Sequence, residues 1–212
     1  DPSRFSPMSR YATLDTTGAA GFNAAADGPA RTHAYTHNRH GQILSEDGPR
    51  SDVADLTTYQ YHTQTTESWT RGDLAQIINP LGHRTRFTRY NASGQLLESI
   101  DPNGLTTRHT YDPRGRLTST TVGDERSRYD YDPAGNLIRS TNPDGSFIAY
   151  TYDTAGRLIA MTDSEGTRID YQLDAAGNRV AERATDADGR PVHHITRSID
   201  ALGRVQQITG ER

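Results

Sequence analysis

The sequence contains no cysteine and no lysine. Without cysteine the chain has no disulfides and no thiolate metal sites. Cysteine usage therefore does not distinguish an oxidising from a reducing compartment for this protein. All 23 basic residues are therefore arginine, and 27 acidic residues interspersed with them give a net charge of −4. A chain with this balance lacks the basic stripe typical of nucleic-acid-binding domains, so we expect no nucleic-acid partner.

Large apolar residues are also scarce, since Leu, Ile, Val and Phe together number 33 of 212. This share lies below the roughly 20% at which disorder becomes a serious alternative. Disordered chains, however, usually combine low hydrophobicity with high net charge, and here the net charge is small. The eleven tyrosines suit a half-buried pleated surface, where the ring packs and the hydroxyl stays wet. The composition therefore favours a folded β-rich chain.

Long hydrophobic runs are absent as well. No apolar run approaches the roughly 18 residues of a membrane span, and no signal peptide is recognisable. The chain starts at Asp1-Pro2 and ends part-way through a repeat, at Thr209 to Arg212. We expect an excerpt of a longer protein, with no membrane span.

One short motif is repeated along most of the chain, and its best copies read Tyr-Asp-x-x-Gly-x-Leu. Seven segments carry it: Tyr35–Leu44 (YTHNRHGQIL), Tyr90–Leu97 (YNASGQLL), Tyr111–Leu117 (YDPRGRL), Tyr131–Leu137 (YDPAGNL), Tyr152–Leu158 (YDTAGRL), Leu173–Val180 (LDAAGNRV) and Ile199–Val205 (IDALGRV). The glycines of five successive copies, at 94, 115, 135, 156 and 177, lie 20 or 21 residues apart. A fixed period of this size is typical of repeat architectures.

A second turn lies between each pair of later motifs. These second turns are Asn79–Gly82, Asp101–Gly104, Gly123-Asp124, Asn142–Gly145, Asp163–Gly166 and Asp186–Gly189. Asp or Asn at the first position can accept hydrogen bonds from its own backbone, Pro at the second presets φ, and Gly at the fourth accepts a positive φ. Each repeat therefore has two turns about ten residues apart (turn signature,).

The residues between turns alternate in character. Thr167, Ile169, Tyr171 and Leu173 share one face of a strand, while Arg168, Asp170 and Gln172 share the other. Period-2 alternation between turns every 8–12 residues or so indicates antiparallel strands joined by hairpins. The sequence predicts an all-β fold, a long antiparallel β-meander.

Three irregularities modify this picture. Phe87 and Tyr90 fall on opposite faces of their strand, which predicts a bulge or a register change between them. Residues 45–70 hold a degenerate repeat, in which we expect the only tryptophan, Trp69, to pack beside Tyr59 and Tyr61. Residues 1–30 lack the motif, so we expect an irregular or degenerate N-terminal segment, followed by a single repeat region over residues 31–212.

The strings YDPRGRL, YDPAGNL and YDTAGRL resemble the tyrosine-aspartate (YD) repeats of the Rhs family, which includes the C component of insecticidal toxin complexes and the teneurins. The resemblance covers roughly residues 35–212. It implies a curved β-sheet that forms part of a hollow shell. In bacterial members this shell typically encloses a toxic C-terminal domain and is delivered by a type VI or related secretion route.

A simple estimate relates the chain to such a shell. Fifteen or so strands spaced about 4.8 Å apart make roughly 70 Å of sheet, whereas a wall around a toxin of about 100 residues needs a circumference of about 140 Å. The chain then covers about half a turn and does not enclose a cargo alone. We expect its end strands to be open edges, prone to self-association.

The sequence predicts no catalytic, cofactor-binding or metal site. Asp101-Pro-Asn-Gly-Leu105 matches the DPxGL string at which bacterial relatives of this family end the shell by self-cleavage, but here it occupies an ordinary second-turn position. His33 and His37 would lie about 13 Å apart on one strand, too far to share an ion. Asp186–Gly189 lacks the remaining ligands of a calcium loop, and no G-x-S-x-G string occurs.

The resemblance thus implies a structural role rather than an enzyme: an encapsulation module of a secreted bacterial toxin. Its partners would be the remaining shell repeats, an enclosed C-terminal toxin domain, and a secretion-system spike or adaptor. The alternative is a cell-surface adhesion or carbohydrate-binding repeat array.

Overall fold

The structure, a computed structural model, describes residues 10–11, 31–50, 52–53 and 55–211, and these form strands and turns without a helix. The chain divides into two compact units, Asp1–Arg108 and His109–Arg212. The segment expected to be irregular, residues 1–30, lies outside the described residues except for β1 (Arg10–Tyr11), which pairs antiparallel with β2 (Arg31–Thr32). The start of the repeat region at residue 31 stays a prediction.

Sixteen further strands form a single sheet in which the spatial order of the strands is their chain order. Seven begin in the first unit: β3 (Ala34–His37), β4 (Ile43–Asp47), β5 (Leu56–Tyr61), β6 (Leu74–Ile78), β7 (Arg84–Tyr90), β8 (Leu96–Ile100) and β9 (Thr106–Tyr111). Nine lie in the second unit: β10 (Leu117–Val122), β11 (Glu125–Tyr131), β12 (Leu137–Thr141), β13 (Phe147–Tyr152), β14 (Leu158–Asp163), β15 (Arg168–Leu173), β16 (Arg179–Thr185), β17 (Pro191–Ile199) and β18 (Val205–Glu211). The antiparallel β-meander predicted from the turn spacing is confirmed.

The repeated motif forms one kind of hairpin turn, hereafter the motif turn. Between β11 and β12, Gly135 N–H donates to the Asp132 carbonyl (3.1 Å) and Asp132 N–H donates to the Asn136 carbonyl (3.0 Å). This is a type I turn whose last residue, Gly135, has a φ of +105° and so requires glycine. Tyr131 pairs with Leu137 and Asp130 with Arg139, which leaves Ile138 as one extra residue on β12. The motif hairpin therefore contains a bulge directly after the Leu of the motif.

The second turns at the other ends of the strands are mostly regular. Asn142 N–H donates to the Ser146 carbonyl (2.8 Å), and Thr141 pairs directly with Phe147 without a bulge. Gly123-Asp124 differs, because Val122 pairs with Glu125 and leaves a two-residue loop in which only Gly123 has a positive φ. That geometry is the type II′ turn, which has Gly at its first central position.

The bulge predicted between Phe87 and Tyr90 is also present. Phe87 pairs with Ser99 and Arg89 with Glu98, so that Thr88 is an extra residue on β7. A further register shift separates Arg89 from Tyr90. That second shift leaves Leu97 as an extra residue on β8 and so repeats the bulge of the motif hairpin, while Tyr90 N–H donates to the Ser68 carbonyl (2.7 Å) of the loop between β5 and β6.

Very few side chains are buried. Among the described residues only Ser119, Ala160, Tyr171 and Ala181 are buried, and three of these four are small. A sheet packed against a second layer has large apolar side chains on its inner face. The described strands therefore form a single layer, in which hydrogen bonds and contacts between neighbouring strands replace a conventional core.

Candidate functional site

The sheet of the second unit has two chemically different faces, since directly paired residues in antiparallel strands point the same way. The register of the paired strands places six of these side chains on one face, hereafter the tyrosine face: Tyr129, Tyr150, Met161, Ile169, Tyr171 and Ile195. The opposite set forms an arginine face: Arg126, Arg128, Arg139, Arg168 and Arg183. Along β11 the residues alternate between half-buried on the tyrosine face and exposed on the arginine face. The face sharing predicted for Thr167–Leu173 is confirmed for β15, with Tyr171 buried and Gln172 exposed.

The motif tyrosines bond to the neighbouring hairpin. Three motif tyrosines and Tyr61 of the degenerate repeat donate the phenol hydroxyl to the carbonyl of the first residue of the preceding strand: Tyr61 to Ile43 (2.8 Å), Tyr90 to Leu74 (2.7 Å), Tyr131 to Leu117 (2.9 Å) and Tyr152 to Leu137 (2.8 Å). In the best copies that acceptor is the Leu that closes the preceding motif. The Tyr and the Leu of the motif thus belong to one contact, made between successive repeats. Burial raises the pKa of Tyr90 to about 12, so its hydroxyl keeps the donated proton at neutral pH.

A second set of bonds joins neighbouring motif turns side by side. The residue after the motif glycine reaches the backbone of the next motif turn, or of residues 62–73, which stand in the place of one. Gln42 Nε2 donates to the Gly72 carbonyl (2.8 Å) and Arg116 Nη1 to the Asp132 carbonyl (3.3 Å). Arg114 Nη1 adds a bond to the Pro133 carbonyl (2.7 Å). Consecutive turns at the same ends of the strands are therefore linked side by side, which the sequence pattern alone did not reveal.

The first residue of each motif turn is held by its own turn. Asp112 Oδ1 accepts from the N–H groups of Arg114 (2.9 Å) and Arg116 (3.0 Å), and Oδ2 accepts from Arg116 Nε (2.7 Å). The Arg116 backbone N–H, followed by its guanidinium, lowers the pKa of the Asp112 carboxyl below its ordinary value. The pKa is also lowered at Asp153 and Asp200, where an arginine acts in the same way, and at Asp132 and Asp174, where the side-chain amide of an asparagine is the largest cause. These carboxylates are turn caps, as the sequence predicted.

The DPxGL string is likewise an ordinary turn. Asp101 Oδ1 accepts from the N–H groups of Asn103 and Leu105, both at 2.8 Å, and Gly104 N–H donates to the Asp101 carbonyl (3.1 Å). Gly104 has a φ of +86° and occupies the fourth position of the turn. The carboxylate of Asp101 is thus already engaged in capping its own turn. The predicted turn geometry is confirmed.

The histidines are dispersed. His193 lies near Glu182 (3.8 Å), which also lies near Arg179 (3.6 Å) and Arg197 (3.4 Å), an ionic cluster on the tyrosine face. His194 pairs with Arg183 and so lies on the arginine face, opposite to His193. Within the described part of the chain, no group of three or more His, Asp or Glu residues is placed to hold a metal ion. Over the same residues no helix is long and apolar enough to cross a membrane.

Sequence reasoning missed a twelve-residue loop, residues 62–73, that replaces the motif turn between β5 and β6. His62 Nε2 donates to the Phe87 carbonyl (3.2 Å), and the loop's Ser68 carbonyl accepts from Tyr90. Trp69 stacks on His62, with ring centroids 4.1 Å apart and planes inclined by 10°. The prediction that Trp69 packs beside Tyr59 and Tyr61 is therefore corrected: its stacking partner is His62. The insertion was visible only as an interruption of the motif period, with no turn signature to give its path.

Comparison with protein families identifies the repeats. The model of the family described as RHS Repeat matches residues 90–127, 131–168 and 152–191. Those segments cover the motifs from Tyr90–Leu97 to Leu173–Val180, beginning after β3 to β6 and ending at residue 191.

Two curated proteins are similar in sequence. The chain is 33% identical over 109 residues to "Double-stranded DNA deaminase toxin A" of Burkholderia cenocepacia (strain H111), a match over 51% of this chain. It is 30% identical over 125 residues to "Probable deoxyribonuclease RhsB" of Dickeya dadantii (strain 3937), a match over 58% of this chain. The match spans only 8% of the length of either relative.

Solved structures of insecticidal toxin complexes share the fold. The Tc holotoxin pore of Photorhabdus luminescens matches 86% of this chain and 10% of its own, with a TM-score of 0.66 at 18% identity. A TcdB2–TccC3 crystal structure matches 95% of this chain and 14% of its own, with a TM-score of 0.64 at 18% identity. At this level of identity the likeness concerns the fold of the sheet.

Proposed function

The chain belongs to the Rhs family of YD-repeat proteins, and from this premise we propose that it is a structural encapsulation module of a secreted bacterial toxin. In this role it forms part of the shell that encloses a C-terminal toxic domain for delivery. The other shell repeats and the enclosed domain are its partners within the parent protein. A secretion-system spike or adaptor is a further partner of the assembled toxin.

The observation that carries the proposal is the single layer of sixteen strands in chain order. Only four described residues are buried, so contacts between neighbouring strands, and not an enclosed core, hold the sheet together. Bonds such as Tyr152 to Leu137 and Arg116 to Asp132 tie each hairpin to its neighbour. A layer tied together along its length has the construction that a wall needs.

The comparisons support the same role. Both curated relatives carry names of toxins or nucleases, and the chain matches only 8% of each. The described residues of this chain are occupied with turns, strand pairing and lateral bonds. We therefore assign the chemistry in such proteins to a different region, and propose that this chain has no catalytic activity of its own.

The adhesion alternative draws less support. Repeat arrays that bind sugars use exposed aromatic rings as stacking platforms for the apolar face of the ligand (amphipathic aromatic surfaces,). Every Tyr, Phe and Trp whose side chain the structure describes is half-buried or buried. The hydroxyls of Tyr61 and of three motif tyrosines already donate to neighbouring carbonyls.

The test is protease protection in the full parent protein. We expect the sequence beyond residue 212 to continue with further repeats and then a compact unrelated domain, which trypsin spares while the shell is intact. The double variant Gly135→Val, Gly156→Val, which breaks two motif turns, should expose that domain to digestion. The matched control Ala134→Val, Ala155→Val places the same side chains one residue earlier and should leave it protected. A domain digested equally fast in all three proteins, or an anchor in its place, would count against encapsulation.

A further inference from the structure

A groove of about 1000 Å³ opens on the first unit, between the motif turn Asn38–Gln42 and the 62–73 loop. Leu44 and Tyr61 contribute apolar surface to its lining, and Leu44 is 39% exposed. Arg39 and Arg71 also line the groove, and both are exposed. Its size lies at the upper end of typical ligand sites.

The groove is electropositive. Besides the two arginines, His40 and His62 line it, whereas none of the described lining residues carries a carboxylate. Arg39 Nε donates to His40 Nε2 (3.0 Å), and neither Arg39 nor Arg71 forms an ion pair with any acidic residue that the structure describes. Two guanidinium groups therefore face the groove without a compensating charge, in a chain whose net charge is −4.

The walls of the groove are fixed before any partner arrives. Gln42 Nε2 donates to the Gly72 carbonyl (2.8 Å), which ties the motif turn to the loop. On its other side the loop is held to β7 through Ser68 and through His62, whose ring stacks on Trp69. A preformed groove loses less conformational entropy on binding than a mobile one.

We propose that this groove binds an acidic peptide segment of a partner protein, with carboxylates at Arg39 and Arg71 and an apolar side chain against Leu44 and Tyr61. Guanidinium groups pair with carboxylates in a bidentate geometry, and the apolar lining favours a peptide over a simple ion. A nucleic acid fits less well, because a long polyanion would meet the net negative charge of the chain beyond these two arginines. This docking site goes beyond the wall function, since it addresses a second protein and not the enclosed domain.

Trp69 provides a reporter, because it is the only tryptophan and stacks on a residue of the groove. The probe is a blocked octapeptide of alternating Glu and Leu, titrated against the whole chain with tryptophan emission and calorimetry recorded on the same samples. The control peptide has Gln in place of Glu. We expect saturable binding of the acidic peptide and, in Arg39→Gln, Arg71→Gln, a loss of affinity of roughly 3- to 30-fold (two exposed charge pairs,).

The matched control variant is Arg84→Gln, Arg126→Gln, which removes two exposed strand arginines outside the groove. It should bind the acidic peptide like the unaltered chain, and circular dichroism of both double variants should match the unaltered spectrum. Equal binding of the Gln peptide, no binding heat with the acidic peptide, or unchanged affinity in Arg39→Gln, Arg71→Gln would overturn the proposal. Tighter binding of a single-stranded oligonucleotide would overturn the assignment to a protein partner.

Discussion

The glycine of the motif turn serves two purposes at a single residue. Gly156 has a φ of +75°, and a Cβ at this position would lie 3.6 Å from Asn136 Oδ1 of the neighbouring motif turn. The positive φ requires a residue that tolerates the left-handed region. The short distance shows that the side chain of the neighbouring turn packs against this glycine. At Gly135, Gly156 and Gly177 the repeated glycine therefore repeats both the backbone conformation and the lateral contact, whereas at Gly94 only the backbone conformation is repeated.

Replacing Gly156 by Val should lower the free energy of unfolding by about 1–2 kcal/mol, because a β-branched residue resists a positive φ. Ala155→Val is the matched control, since Ala155 is exposed, lies in the same turn and has no positive φ. Urea unfolding followed by circular dichroism measures both. A Gly156→Val midpoint equal to that of Ala155→Val would show that φ does not limit this turn.

The capping carboxylates make the stability of the fold depend on pH. The side-chain amide of Asn136 is the main cause that lowers the pKa of Asp132, with backbone N–H groups adding to it. A carboxyl whose pKa is lower folded than unfolded stabilises the fold above the unfolded value, near 3.9, and loses this contribution as the pH falls through the folded value. Stability should therefore decline on the acid side of about pH 4.

Asn136→Ala should raise the pKa of Asp132 toward its ordinary value, because it removes the amide that donates to Oδ2 (2.8 Å). Carboxyl carbon shifts recorded against pH by NMR report the value for each aspartate. Asp112 is the internal control, since its pKa is lowered chiefly by the backbone of Arg116 in a different turn. An Asp132 titration that is the same with and without the Asn136 amide would show that backbone donors alone set its pKa.

At the scale of the hairpin, the tyrosine of one motif bonds to the leucine of the motif before it. Tyr152→Phe removes the hydroxyl that donates to the Leu137 carbonyl (2.8 Å), and the part-buried acceptor is left without it. We expect the free energy of unfolding to fall by about 1 kcal/mol. Tyr129→Phe is the matched control. Tyr129 lies half-buried on the tyrosine face of β11, and its hydroxyl has no hydrogen-bond partner among the described residues. Equal losses in the two variants would mean that the ring, and not the hydroxyl, carries the contact.

Most of the hairpins could be predicted from the sequence, because their turn chemistry is local. Asp132, Pro133 and Gly135 determine a type I turn whatever surrounds them, and the parity conflict between Phe87 and Tyr90 was enough to place a bulge. The bond from Tyr152 to Leu137 was not predictable, since it depends on how two hairpins align. The path of residues 62–73 was also missed, because it is fixed by contacts to β7 and to Gln42, which no local motif encodes.

At the scale of the molecule, the sheet order ends at β18, so one side of this strand has no neighbour among the described residues. Its residues from Val205 to Thr209 include neither charge nor proline, the usual protections of an edge strand. Val205 and Ile208 are 51% and 60% exposed. Unpaired backbone groups therefore lie beside exposed apolar side chains, a combination that favours pairing with another strand.

We expect the 212-residue chain to self-associate through this edge, because pairing two β18 strands satisfies backbone groups and covers Val205 and Ile208 together. Light scattering at tens of micromolar should report a dimer or larger species in place of a 23.4 kDa monomer. Gln206→Lys with Ile208→Lys should weaken it, since charges on an edge strand oppose pairing. Gln60→Lys with Gln76→Lys, on two paired inner strands, adds the same charge away from the edge and should not. A monomer at that concentration would show that the edge is protected by some other means, and association unchanged by the edge lysines would place the contact on a face of the sheet.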